Sequence, residues 1–462
     1  MSKILIDLLP AMGHFNSSLK LIQMLQSKGH EIIFIDQGLK AEMARLGFKT
    51  FTTGFELLPE LLNKGEFSFR IMLKHMIKRQ DINLYIKLEN NFQKFRECIM
   101  ELSPDVVLLD EQNMLKSVYY EICKVPVISI ETKPEPCINP NVPPFTSTYI
   151  PFDSLISKWI CSMLWLNKII KNKFRLNMLR IRSGGSDIYT LTRKICLSYG
   201  IDLNGKTCLN RGCGIGIKDI PRLNISAAAF DFPRNKSKNT FYVGPLVEID
   251  RDKQYNMPRY GVLFRNLVKF KKKGNGSVIF CSLGSYSIMH MQRLSYFFAK
   301  LKEVAIEKAN DMFIVSTGEY FDVGELFPVP DNMYVFDYLP QMDLLSICNI
   351  MITHGGMNSI TECVFHEIPI LVYPVSSDWD QPGNGARTIY HKIGLRGSIL
   401  KDSPKKIIKK LEILKSNSIF YKKNIRKMKK QFEKKNNSFE GVEIIEDLIR
   451  QNLNKYEPCN FQ

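Results

Sequence analysis

The sequence predicts an α/β protein of two doubly wound, Rossmann-like domains facing each other across a central cleft. Three observations lead there. Short apolar runs alternate with stretches of helical period over roughly the first 130 residues. The same alternation starts afresh at about residue 276. Near 231–260 the pattern breaks into prolines, glycine and mixed charge, as in FDFPRNKSKNTFYVGPLVEIDRD, which reads as a linker. Repeated strand–helix units imply parallel sheets. Strands covered on both faces read as unbroken apolar runs rather than as alternating ones.

Taken in order, KILIDLLP (3–10) suits a buried parallel strand. A Gly-His turn is expected next, then a helix over 18–30, where Leu19, Ile22 and Leu25 share a face and Gly29 suits the C-terminal cap. EIIFID (31–36) completes one β-α-β unit. PDVVLLD (104–110) and VPVISI (125–130) are further strands around helical NMLKSVYYEICK. In the second half, strands are expected at SVIFCSLG (277–284), MFIVSTG (312–318), MYVFDY (333–338), NIMITHGG (349–356) and PILVYP (369–374). The expected division is a first domain over 1–235, a linker over 236–275 and a second domain over 276–438. A last helix, 439–456, returns to the first domain, with Val442, Ile445, Leu448 and Ile449 spaced to pack.

The 462 residues leave room for such a core, with 45% hydrophobic residues. No apolar run reaches the ~20 residues of a membrane span. The start MSKILIDLLPAMGHF has no long apolar region of a signal peptide. Eleven scattered cysteines without a C-x-x-C pair fit a reducing compartment, so a cytoplasmic protein is expected. The net charge of +18 is concentrated in 401–435, with fourteen Lys/Arg against three acids. Phosphorylated small molecules and anionic membrane surfaces are therefore candidate partners, beside the alternative of a solvated basic helix pair. Residues 151–182 place Leu155, Trp159, Met163, Leu166 and Ile170 at helical spacing among Lys and Arg, which fits either a membrane-facing surface or ordinary domain packing. RGCGIGIKD (211–219) lacks dinucleotide spacing and a preceding strand. KNIRKMKKQFEKK has one aromatic residue and no recognition motif, so nucleic acid is not expected. No His/Cys cluster has metal-ligand spacing.

The most informative stretch is IMITHGGMNSITEC (350–363), where an apolar strand runs through His354 and two glycines into a helix. The first N–H groups of a helix lack partners and sit at the positive end of its dipole, a ready site for phosphate. Gly355 and Gly356 allow a tight turn and close approach. His354 can donate from its ring, and Asn358 and Ser359 can cap the helix or donate to phosphate oxygens. Glu362 lies within reach of a ribose diol. Asp380 and Gln381 can bind several hydroxyls, Tyr338 offers a ring for stacking, Gln341 can pair with a base edge, and Ser285 after Gly284 is a further phosphate ligand.

These residues resemble the donor-binding signature of the family 1 glycosyltransferases, the UDP-glycosyltransferase superfamily with the GT-B fold. The matched positions are Tyr338-Leu-Pro-Gln341, His354-Gly-Gly-Met-Asn358-Ser359-Ile-Thr-Glu362, Ile368-Pro369, Pro374 and Asp380-Gln381-Pro-Gly-Asn384. Met12-Gly13-His14, FYVGP (241–245) and SLGS (282–285) also fall where that family has them. Tyr338 and Met357 stand where the plant pattern has Trp, and Glu367 stands where it has Gly. The chain is similar to the soluble bacterial and plant types rather than to the membrane-anchored animal ones.

The resemblance implies a metal-independent, inverting transfer of a hexose, with glucose favoured, from a UDP-sugar to a hydroxyl of a small lipophilic acceptor, with no cofactor. His14 would be the general base and Asp110 its carboxylate partner. Gly13, Ser285, Tyr338, Gln341, His354, Gly356, Asn358, Ser359, Glu362, Asp380 and Gln381 would bind the donor. The acceptor site would come from variable stretches such as 55–95 and 140–185. The alternatives are an epimerase or hydrolase of nucleotide sugars on the same fold, or a non-catalytic protein that binds nucleotide sugar or a membrane surface.

Overall fold

The structure, a computed structural model, describes residues 1–36, 38, 40–55, 57, 82–208, 215–235, 237–249, 258–274, 276–284, 290–318 and 320–453. Seven parallel strands form the first sheet: β1 (Lys3–Asp7), β2 (Glu31–Ile35), β3 (Lys49–Phe51), β4 (Val106–Asp110), β5 (Val127–Glu131), β8 (Arg222–Asn224) and β9 (Thr240–Tyr242). A separate antiparallel pair, β6 (Thr207–Cys208) and β7 (Gly216–Ile217), sits beside it. The second sheet is six-stranded and parallel: β10 (Val278–Ser282), β11 (Met312–Ser316), β12 (Met333–Phe336), β13 (Ile350–Thr353), β14 (Ile370–Val372) and β15 (Gly394–Arg396).

Strand order is β3-β2-β1-β4-β5-β8-β9 in the first sheet and β12-β11-β10-β13-β14-β15 in the second. Both are the doubly wound order, which reverses direction between two central strands. The reversal falls between β1 and β4 in one sheet and between β10 and β13 in the other. A crevice opens at such a point, outside the C-terminal ends of the strands.

Alternating side chains of the central strands feed cores on both faces. Ile4 and Ile6 pack on one side of the first sheet, with Leu5, Val107 and Leu109 on the other. Val278 and Phe280 face away from Ile279 and Cys281 in the second. The helix Glu440–Leu453 lies on the first domain, where Val442, Ile445 and Ile449 join the core of Ile4 and Ile22. Each such buried side chain contributes about 1.5–3 kcal/mol, enough to hold a terminal helix against a domain distant in sequence. Among the described residues no helix is long and apolar enough to cross a membrane.

Two expectations need correction. The helix after β1 starts at Met12, not at 18, so Gly13 and His14 lie in its first turn instead of in a preceding loop. The segment 236–275 is not simply a linker. Its residues 240–242 add β9 to the first sheet, and its helix Pro258–Lys273 places Tyr260, Leu263 and Leu267 in the second domain's core.

The two domains also meet in a buried seam. Arg387, on the helix Gln381–Tyr390, donates from Nε to Asp231 Oδ1 at 2.8 Å and packs over the Phe232 ring at 4.8 Å. Arg234 bonds the other Asp231 oxygen at 3.0 Å and lies 3.2 Å from Glu135. His391 stacks on Phe230, and Arg396 donates to the Thr148 carbonyl at 2.8 Å. At Gly383 the backbones approach so closely that a Cβ would overlap the Phe145 carbonyl.

Candidate active site

The first domain supplies a fixed imidazole. His14 sits in the first turn of the helix Met12–Ser27, and its carbonyl accepts from Ser17 Oγ at 2.9 Å and Ser18 Oγ at 3.0 Å. Asp110 ends β4 across the point of reversal, with its side chain fully buried. The two meet with His14 Nδ1 2.6 Å from Asp110 Oδ2. Asp110 also accepts from the backbone N–H groups of Gln112 at 2.9 Å and Leu9 at 3.3 Å. Burial pushes its carboxyl up, but the His14 hydrogen bond and charge, the Gln112 N–H and the nearby Lys133 outweigh burial and hold it below the ordinary carboxylate value. An ionised Asp110 accepts from Nδ1–H, which leaves the lone pair on Nε2. The Gln112 side-chain amide lies 3.1 Å from that nitrogen.

Gln112 escaped the sequence reading. It sits on the turn Glu111–Lys116, which continues straight from β4. That turn folds back because Asp110 caps it by accepting from the Gln112 N–H. One side chain thus both ends the strand and orients the imidazole. The available signal was an Asp-x-Gln spacing at a strand end. The neighbouring Glu111 pairs with Lys133 at 3.0 Å, and Lys133 in turn lies 5.3 Å from the Trp379 ring of the second domain.

The second domain supplies the helix N-terminus. β13 ends at Thr353 and the helix Met357–Phe365 begins three residues later, with Gly356 at its N-cap and no side chain capping it. The glycines are required by the His354 ring as much as by the turn. A Cβ on Gly356 would lie 2.5 Å from His354 Nε2, and one on Gly284, after β10, would lie 2.9 Å from Cε1. Gly355 and Gly284 have φ of +90° and +92°, which favours glycine. Burial lowers the His354 pKa, opposed by the Asp380 charge and the Ser282 carbonyl, so the ring is held neutral. Asn358 does not cap its own helix: its Nδ2 donates to the Gly13 carbonyl of the first domain at 2.7 Å.

Most of the other candidates gather around this helix and engage one another. Gln341 Nε2 hydrogen-bonds Glu362, which is 1% exposed, and lies 3.4 Å from Ser359 Oγ. Tyr338 is exposed, and its backbone N–H donates to the Asp337 carboxylate at 2.7 Å. Asp380 accepts from Asn384 Nδ2 at 2.7 Å, and that nitrogen also donates to the Gly355 carbonyl at 2.8 Å. Asn384 therefore ties the sugar-binding candidate Asp380 to the glycine turn. Gln381 Oε1 accepts from the Val375 and Ser376 N–H groups, both at 2.9 Å, which leaves its amide NH2 to donate. Ser285 and residues 211–214 of the rejected RGCGIGIKD motif lie outside the described residues.

Two doubly wound domains that meet through the ends of β1, β4, β10 and β13 define the GT-B class of fold. The family model of the erythromycin biosynthesis protein CIII-like C-terminal domain matches residues 307–448. An uncharacterized UDP-glucosyltransferase, YojK of Bacillus subtilis, is 31% identical over 144 residues, 30% of this chain and 34% of that protein. A putative UDP-glucuronosyltransferase of Caenorhabditis elegans is 27% identical over 47% of this chain and 42% of its own. The chain thus spans about a third to two-fifths of the length of these curated relatives. Among solved structures, the glycotransferase of kitacinnamycin superposes with a TM-score of 0.66 at 18% identity, covering 97% of this chain and 99% of that one. The calicheamicin glycosyltransferase CalG4 gives 0.63 at 16% identity over 99% and 100%. The chain thus shares the GT-B fold of these glycosyltransferases over nearly its whole length, and its residues 307–448 match the family model.

Proposed function

We propose that this protein transfers a hexose, glucose by resemblance, from a UDP-sugar to a hydroxyl of a small lipophilic acceptor, with inversion and without a metal, in the cytoplasm. One observation carries the reading. The Asn358–Gly13 hydrogen bond brings the glycine turn of the donor helix against the first turn that bears His14. A base whose Nε2 lone pair meets the Gln112 amide and a helix N-terminus suited to a diphosphate thus share one crevice.

His14 Nε2 takes the proton of the acceptor hydroxyl as that oxygen bonds the anomeric carbon. The bond from that carbon to the diphosphate breaks on the opposite face, so a single displacement inverts the centre. Asp110 stabilises the imidazolium, as a buried carboxylate does in a hydrolytic triad. The N–H groups at the start of the helix Met357–Phe365 and the His354 ring stabilise the departing diphosphate, the part that fixed donors play best in a water-poor site. Glu362 binds the ribose diol once its hydrogen bond to Gln341 opens, and the freed Gln341 amide meets the base. Asp380 and the Gln381 NH2 bind the hexose hydroxyls. The acceptor lies against the first domain.

The names of the curated relatives support uridine, whereas the glycosyltransferase VinC was solved with dTDP. Titration calorimetry with UDP, UDP-glucose and dTDP, in EDTA, tests the donor. Saturable uridine nucleotide binding, retained in His14→Ala while transfer to an acceptor panel is lost, is the expected result. Folded protein that binds none of the three overturns the reading, and wild-type transfer by His14→Ala removes the base.

A further inference from the structure

The helix Leu155–Arg182 is 28 residues long and touches the first domain along one narrow face. Ser157, Cys161 and Trp165 are buried, and Trp165 Nε1 donates to the Val142 carbonyl at 2.8 Å. Ser157 Oγ meets both the Tyr149 hydroxyl and the Phe152 N–H. The opposite face should then be polar, as on an ordinary surface helix. It is apolar. Leu155, Trp159, Met163, Leu166, Ile170 and Phe174 are between 45% and 82% exposed. At 3.6 residues per turn they fall within an arc of ~100° and run for about 29 Å, facing away from Cys161.

Basic side chains border this stripe on both sides. Lys158, Lys173 and Arg180 lie along one edge, Lys171 and Arg175 along the other, and all five are exposed. No Asp or Glu occurs between Asp153 and Asp187. An apolar stripe with long cationic side chains on both flanks is the pattern of a helix lying in a membrane interface, with its Lys and Arg reaching up to the headgroups. Its charged residues bar it from spanning the bilayer. Charge also decides against a second copy of the chain, since a twofold contact would set the same cationic flanks against each other. We infer that this helix docks the protein on an anionic bilayer surface, with Trp159 and Phe174 among its insertion residues. The inference stands apart from the proposed donor chemistry.

Co-sedimentation with vesicles tests it, using phosphatidylcholine alone and phosphatidylcholine with about one-third phosphatidylglycerol. Wild type is expected to partition at least ~tenfold more strongly to the anionic vesicles, with a blue shift of Trp159 fluorescence that Trp159→Phe abolishes. Trp159→Ser/Leu166→Ser/Ile170→Ser should lose ~tenfold or more with an unchanged circular dichroism spectrum. Lys171→Gln/Lys173→Gln/Arg175→Gln, which spares the apolar stripe, should lose the preference for anionic lipid and its sensitivity to salt. Wild type that ignores both vesicles overturns the proposal, as does undiminished binding by the apolar triple variant. A dimer in light scattering that this triple variant converts to monomer also overturns it, assigning the face to a second copy.

Discussion

The two rims of the cleft are assembled differently. On the first domain, the His14–Asp110 pair is locked by burial, by two backbone N–H groups and by the fold of the turn after β4. Its Nε2 is met by the Gln112 amide. On the second domain, the ligand-binding candidates are bonded to one another: Gln341 to Glu362, Asp380 to Asn384, Gln381 to backbone N–H groups. Among the described residues, a hydroxyl on the first rim has a single contact to displace at His14 Nε2, the Gln112 amide. A ligand on the second must replace internal hydrogen bonds with its own, and each such exchange nets only about 0.5–1.5 kcal/mol. Under the proposed function, the difference would assign rate to one rim and reversible affinity to the other.

The largest effect should come from unlocking the first rim. Asp110→Asn keeps the shape but can no longer hold Nδ1–H and the imidazolium together, so transfer is expected to fall ~10²–10⁴-fold. Initial rates at saturating donor measure it, and donor affinity should stay within about twofold. A near-normal rate would break the contrast. Next, Gly356→Ala drives a Cβ into the His354 ring. Donor affinity by calorimetry should drop about ten- to a hundredfold, or ~1.4–2.8 kcal/mol, with the rate at saturation nearly intact. A fall in rate alone would place His354 in the chemistry instead.

A smaller effect separates the partners on the second rim. Glu362→Ala removes the proposed ribose ligand and should weaken the donor by about tenfold. Gln341→Ala frees the Glu362 carboxylate as it removes the proposed base contact, so its loss should stay below about threefold. Equal losses would show that the pair binds as one unit.

The smallest effect concerns stability and pH. Burial holds the His354 and His391 pKa values below their ordinary 6.5, against opposing carbonyl and carboxylate contacts. Below about pH 6.5 the unfolded chain takes up protons at these positions that the folded chain refuses, so stability falls with pH in that range. The carboxyls of Asp110 and Asp231, also lowered, lose their contributions only below about 3.8. Melting temperature should therefore drop by a few degrees between about pH 7.5 and pH 5.5, and less in His391→Gln. A flat profile would place proton uptake by the two rings outside that window.

What could be read from sequence followed burial. β1, β2, β4, β5, β10, β11, β13 and β14 announce themselves because central parallel strands are apolar throughout. β3, β8, β9 and β15 are three residues each and carry Lys49, Arg222, Tyr242 or Arg396, so they resemble loops. β9 was hidden further by the proline and glycine that follow it. In the site, the residue types of the second rim and the His14–Asp110 pair were legible. The internal bonding was not, because Gln341 and Glu362 are paired by the packing of two helices rather than by spacing. Gln112 depended on the turn after β4, and the tie of Asn384 to Gly355 depended on where two loops cross. Asp231 and Arg387 are 156 positions apart, and no local pattern foretells their meeting.

That seam bears on how such proteins can be recombined. The halves look like interchangeable cassettes, one for each substrate. Yet the join is a set of matched parts, Glu135, Asp231 and Arg234 on one side against Arg387, His391 and Arg396 on the other, with Gly383 pressed to the Phe145 carbonyl. A chimera cut anywhere in 236–275 would inherit one set without the other and strand a buried guanidinium or carboxylate, a defect costing about 3–5 kcal/mol. A graft that carries residues 135–150, 230–242 and 383–396 from one parent would move the joint as one matched set.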